Sequence, residues 1–351
     1  MYDDDMRTAP LPIEEPPMTI MQFKKSIPDE EAAIDYFIKI RYPDGLICPH
    51  CRAKDKVYHY HNRPKVCHCK SCNSNFSVFK GTIFEKSSTK LLDWFDAIRM
   101  FLNARKGISS LQLQRELGVT PKTAWRMEQQ IRLAMEDEDG RKAFSGSVEV
   151  DETYVGGKGQ RYPKSRSTGL YLPKPKKKRG RGTEMPVVMG LKERESGNVH
   201  AQVMPYEPSV KGRDKRLSGP QLKAVIDEEC ERGATIISDD FKGYRELDKK
   251  ERVQLWLLDD EEPPPRYEHH TVCHKAKRFT AGLTKDGEVV HTNGIESHWA
   301  LIKRGFGGTY HSISEKYLPR YLDEFSFRQN TRRQPSLEVF DLLIKRSVFK
   351  P

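Results

Sequence analysis

The stretch SVEVDETYVGG, at residues 147–157, decides the fold. Its apolar and polar residues alternate, and this period of two predicts a β-strand with one buried and one polar face. Val148 and Val150 point to the buried face. The polar face carries Glu149, Asp151 and Thr153. An acid, Asp151, is therefore predicted within a strand.

Further predicted strands and helices follow in the same half of the chain. The strands cover residues 186–192, 198–204 and 234–239, and the helices cover 218–232 and 293–304. Strands and helices that follow one another along one stretch of sequence favour a mixed α/β domain.

Two later segments carry polar residues at positions that suit chemistry. Asp239 ends the apolar run ATIIS and begins the turn DDFKGY, which is where α/β sheets present functional groups. In HTNGIESHWALIKRGF, helical spacing aligns Asn293, Glu296 and Lys303 on one face. An adjacent apolar stripe predicts a face packed on the sheet. Its members are Ile295, Trp299 and Ile302.

Carboxylates at strand ends and on a facing helix suit hard divalent cations. Two Mg²⁺ ions about 3.5 to 4 Å apart take oxygen ligands and stabilise both the attacking and the leaving oxygen of an in-line phosphoryl transfer. Surrounding Lys and Arg residues would hold the phosphates. Taken singly, each acid is more typical of a solvated surface charge or a helix cap.

The cysteines form a second constellation. Cys48-Pro-His-Cys51 and Cys69-Lys-Ser-Cys72 are two Cys-x-x-Cys turns separated by 17 residues. Four thiolates complete a tetrahedral S₄ site with no open position, so this spacing predicts a structural Zn²⁺ in a zinc ribbon. Short strands are predicted at 57–61 and 75–79. The alternatives are four free cysteines, or exchange of a ligand with Cys67, His50 or His68.

A pair of short helices is predicted at 108–117 and 121–136, on either side of a turn at Gly118-Val119. This arrangement resembles a helix-turn-helix, in which the second helix enters the DNA major groove. The expected DNA-reading side chains are Lys122, Thr123, Arg126 and Gln130. An αα-hairpin with a solvated outer face fits the same pattern.

The composition points to a polyanionic partner. Lys and Arg number 61 against 50 Asp and Glu, a formal net charge of +11. No apolar run reaches the roughly 18 residues of a membrane-spanning helix, and the acidic start does not resemble a secretory signal. We therefore expect reduced cysteines and a cytoplasmic or nucleoid location, or a nuclear one in a eukaryote.

A basic segment, 161–182, predicts a flexible loop that contacts the DNA backbone or is merely solvated. Its candidate DNA contacts are Lys176, Lys177, Lys178 and Arg179.

These motifs together resemble the DDE-type insertion-sequence transposases that carry an N-terminal zinc ribbon, an ISXO2-like group similar to the Merlin transposases. The matching strings run from about residue 40 to 330 in this order: CPHC, CKSCNSNFSVFKGTIFE, VEVDETYVGGK, SDDFKGY, HTNGIESHWALIKRGFGGTYH and YLDEFSFRQN. The resemblance implies a ribonuclease-H-like mixed-sheet catalytic core in addition to the zinc ribbon and the small helical, helix-turn-helix-like domain.

The resemblance also implies roles for individual residues. Asp151, Asp239 and Glu296 would bind two Mg²⁺ ions, for which Mn²⁺ can substitute. Asn293 would coordinate or orient, and whether it or Glu296 is the functional third residue stays open. Lys303 and Arg304 would contact DNA. Two neighbouring acids are alternatives: Asp240 if the register is shifted by one residue, and Glu152, which is expected to point to the opposite face of the strand.

The expected domains are a flexible arm, a zinc ribbon with a preceding helix, a helical DNA-binding region, a catalytic domain and a C-terminal tail. Their ranges are 1–27, 28–85, 86–145, 146–335 and 336–351. The implied function is a transposase that binds terminal inverted repeats, cleaves there and transfers the 3′-hydroxyl strands to target double-stranded DNA, as a homodimer or larger assembly. The alternatives are a non-catalytic DNA-binding protein and a ribonuclease-H-like nuclease.

Overall fold

The computed structural model describes residues 19–60, 62–136, 142–155, 185–205, 217–247, 266–272 and 282–348. The chain divides into two compact units. Unit 1 comprises Met1–Glu136 and Thr331–Pro351, and unit 2 comprises Asp137–Asn330. The predicted basic loop, with Lys176, Lys177, Lys178 and Arg179, lies outside the described residues.

Unit 1 combines a small sheet with helices from both ends of the chain. Its elements are α1 (Ile20–Ser26), α2 (Glu30–Arg41), β1 (Val57–His59), β2 (Val66–Cys69), β3 (Ser74–Ser77), α3 (Leu91–Asn103), α4 (Ser110–Leu117), α5 (Pro121–Ala134) and α9 (Ser336–Arg346). The strands form one antiparallel sheet in the order β1-β2-β3. One Cys-x-x-Cys turn precedes β1 and the other joins β2 to β3, as expected of a zinc ribbon.

The predicted arm and tail are wrong where the structure describes them. Phe23 in α1 and Phe340 in α9 are both buried, and their ring centroids lie 5.9 Å apart. Phe340 also packs edge-on against Phe95 in α3, at 5.2 Å. Aromatic pairs at these separations belong to a core. Residues 20–27 and 336–346 are therefore part of unit 1, which also contains the ribbon and the helix pair in one body.

The helix pair forms where its capping residues predict it. Gly118 ends α4 in the left-handed conformation, with φ of 66°, which glycine adopts without strain. Thr120 caps α5 by accepting a hydrogen bond from the backbone N–H of Thr123 at 3.2 Å, and Pro121 occupies the first helical position.

Unit 2 contains a mixed five-stranded sheet with helices. Its elements are β4 (Ser147–Tyr154), β5 (Val187–Glu193), β6 (Val199–Val203), α6 (Gly219–Glu229), β7 (Thr235–Asp239), β8 (Glu268–Val272), α7 (Asn293–Gly305) and α8 (Leu318–Asn330). The strand order is β6-β5-β4-β7-β8. The first three strands pair antiparallel, and β7 and β8 continue the sheet in parallel from β4.

Each face of this sheet has its own apolar core. Val148 and Val150 of β4 pack with Leu222 and Ile226 of α6. On the other face, Val188 and Ala201 of the sheet pack with α7 and α8, and the predicted stripe of α7 is buried there. The predicted ribonuclease-H-like mixed-sheet α/β fold is thus confirmed. No helix within the described ranges is long and apolar enough to cross a membrane.

Candidate functional site

Four cysteines converge in the ribbon. The Sγ atoms of Cys48, Cys51, Cys69 and Cys72 all lie within 4.8 Å of one another. Cys48 Sγ is 3.6 Å from Cys72 Sγ, and Cys51 Sγ is 3.5 Å from Cys69 Sγ. A ZnS₄ tetrahedron with Zn–S bonds of about 2.3 Å has edges of about 3.8 Å. The donor set and its spacing therefore fit Zn²⁺.

The alternative zinc ligands have other partners. His68 Nδ1 lies 2.8 Å from Asn75 Oδ1, and His50 Nε2 lies 3.2 Å from Lys80 Nζ. Cys67 is buried outside the cluster, and burial raises the pKa of its thiol to about 11. The geometry therefore favours the four converging thiols over these alternatives.

A group of three carboxylates lies in unit 2. One ligand oxygen each of Asp151, Glu152 and Asp239 lies within 4.8 Å of the others. Asp151 is in β4, and Asp239 is the last residue of the neighbouring strand β7. Phe241 donates its backbone N–H to Asp239 Oδ1 at 3.0 Å, which orients this carboxylate at the start of the turn.

Glu152 belongs to this group although the alternation of the strand set it aside. The pairing of β4 with β7 runs only from Ser147↔Thr235 to Glu149↔Ile237. Beyond this register the two strands are no longer paired, so side chains from both faces of β4 can meet there. The buried phenol of Tyr244 donates to Glu152 Oε2 at 3.0 Å, which holds the Glu152 carboxylate toward the group.

The electrostatics of the group favour a bound cation. Burial and, after it, the charges of Glu152, Asp239 and Glu296 together raise the pKa of Asp151 to about 7. Clustered carboxylates repel one another, and hard divalent cations prefer oxygen ligands. The donor set of this site therefore fits Mg²⁺ or a similar cation.

The third predicted acid, Glu296, is exposed on α7 and lies outside the group of three. Its carboxylate accepts a hydrogen bond from Thr292 Oγ1 at 3.2 Å. Glu296 is nevertheless near enough for its charge to raise the pKa of Asp151. Asn293 and Lys303 are exposed on the same helix, and so is Arg304. The structure thus brings Asp151 and Asp239 together and places Glu296 beside them.

A buried ion pair attaches α7 to β4. Glu149, which is 1% exposed, accepts the backbone N–H of Ile295 at 2.9 Å. Arg194 Nε donates to the other oxygen of Glu149 at 2.9 Å. The same guanidinium donates to the carbonyls of Val289 and His291 at 2.8 and 2.6 Å. We call the pair of Glu149 and Arg194 the helix clamp, because these two side chains fix the beginning of α7 on the strand that carries Asp151.

Gly294 permits this close approach. A Cβ atom on residue 294 would lie 2.6 Å from Glu149 Oε2, which is closer than such contacts allow. Lys192 Nζ donates to the carbonyl of Gly294 at 3.2 Å and adds a further attachment. A side chain at 294 would displace the Glu149 carboxylate or move α7 away from the sheet.

Several of these residues escaped the sequence analysis. Glu149 was placed on the correct face, and a strand glutamate among valines is a signal that a buried partner exists. Its partner, Arg194, carries no local signal because it lies in the turn after another strand. The helical spacing predicts only apolar packing for Trp299, but its indole also donates to Asp151 Oδ2 at 3.0 Å.

The predicted DNA-reading face of α5 is partly available. Lys122 and Arg126 are exposed, whereas Thr123 and Gln130 are half-buried. Arg126 Nη2 donates to the carbonyl of Glu85 at 3.5 Å. Trp125, which the analysis of the helix pair did not single out, is 40% exposed between them.

The fold, the carboxylate group and the ribbon define the class of DDE-type transposases with an N-terminal zinc ribbon. Residues 143–257 and 264–330 match the family model of the ISXO2-like transposase domain, and residues 28–75 match the transposase zinc-ribbon domain. The chain therefore belongs to the ISXO2-like transposase family. It is 29% identical over 329 residues to an uncharacterized protein in transposable element ISH50 of Halobacterium salinarum, covering 92% of this chain and 98% of that relative.

Proposed function

We propose that this protein is a transposase that binds the terminal inverted repeats of its element, cleaves there and transfers the freed 3′-hydroxyl strands to target DNA. The observation that carries the proposal is the meeting of Asp151 and Asp239, from adjacent strands, within one group of carboxylates. Membership of the family supports DNA as the substrate.

The residues of unit 2 have different roles in this proposal. Asp151, Asp239 and Glu296 would hold two Mg²⁺ ions, or Mn²⁺ in their place. When bound, these cations supply electrostatic stabilisation of the attacking and leaving oxygens. Asn293 orients the groups around them. Lys303 and Arg304, exposed on α7, hold DNA phosphates beside the carboxylates.

Unit 1 would recognise the ends of the element. Most of the affinity comes from phosphate contacts by basic residues, and the specificity from a few side chains that reach base edges. On α5 these are Lys122, Thr123, Arg126 and Gln130. Two ends must be paired for transposition, so the working complex contains at least two protomers, and it works where the DNA is, in the nucleoid or the nucleus.

The test uses purified full-length protein, Mg²⁺ and a duplex that bears the element's ends. The wild-type protein should nick the DNA at the ends and join them to a target. Asp151→Asn should abolish nicking and still bind the ends. Asp240→Asn, an exposed acid next to Asp239, is the matched control and should nick normally.

Each other outcome identifies a different activity. Nicking without joined products would indicate a ribonuclease-H-like nuclease. Binding of the ends without any nicking by the wild type would indicate a non-catalytic DNA-binding protein. Equal nicking by wild type and Asp151→Asn would reject the assigned site.

A further inference from the structure

The indole of Trp299 contacts the carboxylate group directly. Trp299 is 3% exposed, and its Nε1–H donates to Asp151 Oδ2 at 3.0 Å. An indole nitrogen is a donor only, so this contact can hold a carboxylate in one orientation. A carboxylate has about four lone-pair sites, so Asp151 can accept the indole N–H and still bind other partners.

The neighbouring strand leaves room for this ring. Gly190 of β5 lies opposite Asp151 in the sheet register. A Cβ atom at residue 190 would lie 2.5 Å from the Trp299 ring and 3.0 Å from Ile295. The ring therefore occupies the space over a strand position that has no side chain, and its N–H has little freedom to turn away from Asp151.

The helix that carries Trp299 is itself fixed. Glu149 of the helix clamp accepts the backbone N–H of Ile295, one turn before Trp299. Glu296 precedes Trp299 by three residues on the same helix. One rigid helix thus presents Glu296 beside the carboxylate group and donates a hydrogen bond to Asp151 within it.

We propose that Trp299 is a positioning residue, whose indole N–H holds the Asp151 carboxylate in the orientation in which Asp151 and Asp239 share a divalent cation. This inference rests on the proposed function and deepens it. Removing a hydrogen bond to a carboxylate that binds a metal typically lowers the metal affinity by about 10- to 100-fold.

The test measures binding of Mn²⁺ alone, without DNA, by electron paramagnetic resonance titration of the full chain. Trp299→Phe removes the donor and keeps most of the apolar ring. It should weaken Mn²⁺ binding by about 10- to 100-fold and leave binding of the end DNA unchanged. The Mn²⁺ concentration for half-maximal nicking should rise by the same factor.

Two further variants separate the hydrogen bond from packing. Benzothienylalanine at position 299 keeps the bicyclic shape and replaces the N–H by sulfur, so it should weaken Mn²⁺ binding as Trp299→Phe does. Trp94 is the matched control, because its buried Nε1–H donates to Ser87 Oγ at 3.0 Å in unit 1. Trp94→Phe should bind Mn²⁺ as the wild type does.

Binding of Mn²⁺ by either position-299 variant within twofold of the wild type would overturn the inference, and so would a wild-type protein that binds no Mn²⁺. Failure of the proposed function looks different: the wild type would bind Mn²⁺ at a site that Trp299→Phe weakens, and would not nick the ends.

Discussion

The two clusters of candidate metal ligands in this protein differ in how the chain builds them. The thiolate cluster takes four ligands from residues 48–72 and closes a tetrahedron within a small sheet. The carboxylate group takes its members from β4, β7 and, beside them, α7, which the fold must bring together. The first site leaves no position for a substrate, and the second gathers repelling charges that a bound cation or a proton compensates.

The comparison predicts that loss of zinc has the largest effect on folding stability. Cys69→Ser should abolish zinc binding and unfold the ribbon, because structural Zn²⁺ contributes about 10 to 16 kcal/mol of apparent binding free energy in small zinc-dependent folds. Zinc content and limited proteolysis measure this. Cys67→Ala, the buried cysteine outside the cluster, should keep its zinc. A folded, zinc-free Cys69→Ser ribbon would show that the thiolates are not structural.

The helix clamp should give the next largest effect. Arg194→Met leaves the buried Glu149 carboxylate without its guanidinium, and removing one partner of a buried pair costs about 3 to 5 kcal/mol. Thermal denaturation should show a lower melting temperature for unit 2. The double variant Glu149→Gln/Arg194→Met should recover part of the loss. If the double variant is as unstable as the sum of the two single variants, the residues do not act as a pair.

Ionisation of the carboxylate group should have a smaller effect on the stability of unit 2, and this effect depends on pH. The folded-state pKa of Asp151, about 7, lies above the ordinary value of 3.8. Its protonation therefore favours the folded state, and the stability present below about pH 4 is lost as the pH rises through 7. In chelator, the melting temperature of unit 2 should fall between pH 6 and pH 8.

Two comparisons assign this pH dependence to Asp151. Asp151→Asn should flatten it and raise the chelated protein's melting temperature at pH 8 by about 2 to 4 °C, which corresponds to about 1 kcal/mol in a domain of this size. Mg²⁺ should raise the melting temperature of the wild type and not that of the variant. If the melting temperature of Asp151→Asn depends on pH as strongly as that of the wild type, groups other than Asp151 cause the repulsion.

The smallest expected effect concerns the DNA-reading helix. Lys122→Ala and Arg126→Ala should each reduce the dependence of log K on log salt by about one and weaken binding of the ends. Neither should change Mn²⁺ affinity, because both lie in unit 1. Fluorescence anisotropy over a salt series measures the slope. An unchanged slope in both variants would favour the αα-hairpin with a solvated face.

The same contrast explains what the sequence could predict. The ribbon and the helix pair follow from local spacing and caps, such as Thr120 before Pro121. The strand of Asp151 follows from alternation. Contacts between distant segments leave no local signal, and so the buried Phe23–Phe340 pair contradicts the predicted arm and tail.

Glu152 shows a second limit of sequence analysis. Adjacent strand residues point to opposite faces, but the sheet separates their side chains only where the strand has a paired neighbour on both sides. The pairing of β4 with β7 ends at Glu149↔Ile237, and beyond it Glu152 reaches the group of Asp151 and Asp239. The alternation of a strand therefore indicates direction, and the extent of the sheet decides which carboxylates meet.

The most direct test of the account is anomalous diffraction from crystals of the full chain soaked with Mn²⁺. We predict a peak about 2.0 to 2.2 Å from carboxylate oxygens of both Asp151 and Asp239, absent in Asp151→Asn. Ordered carboxylates with no such peak, or Mn²⁺ bound only elsewhere, would contradict the account.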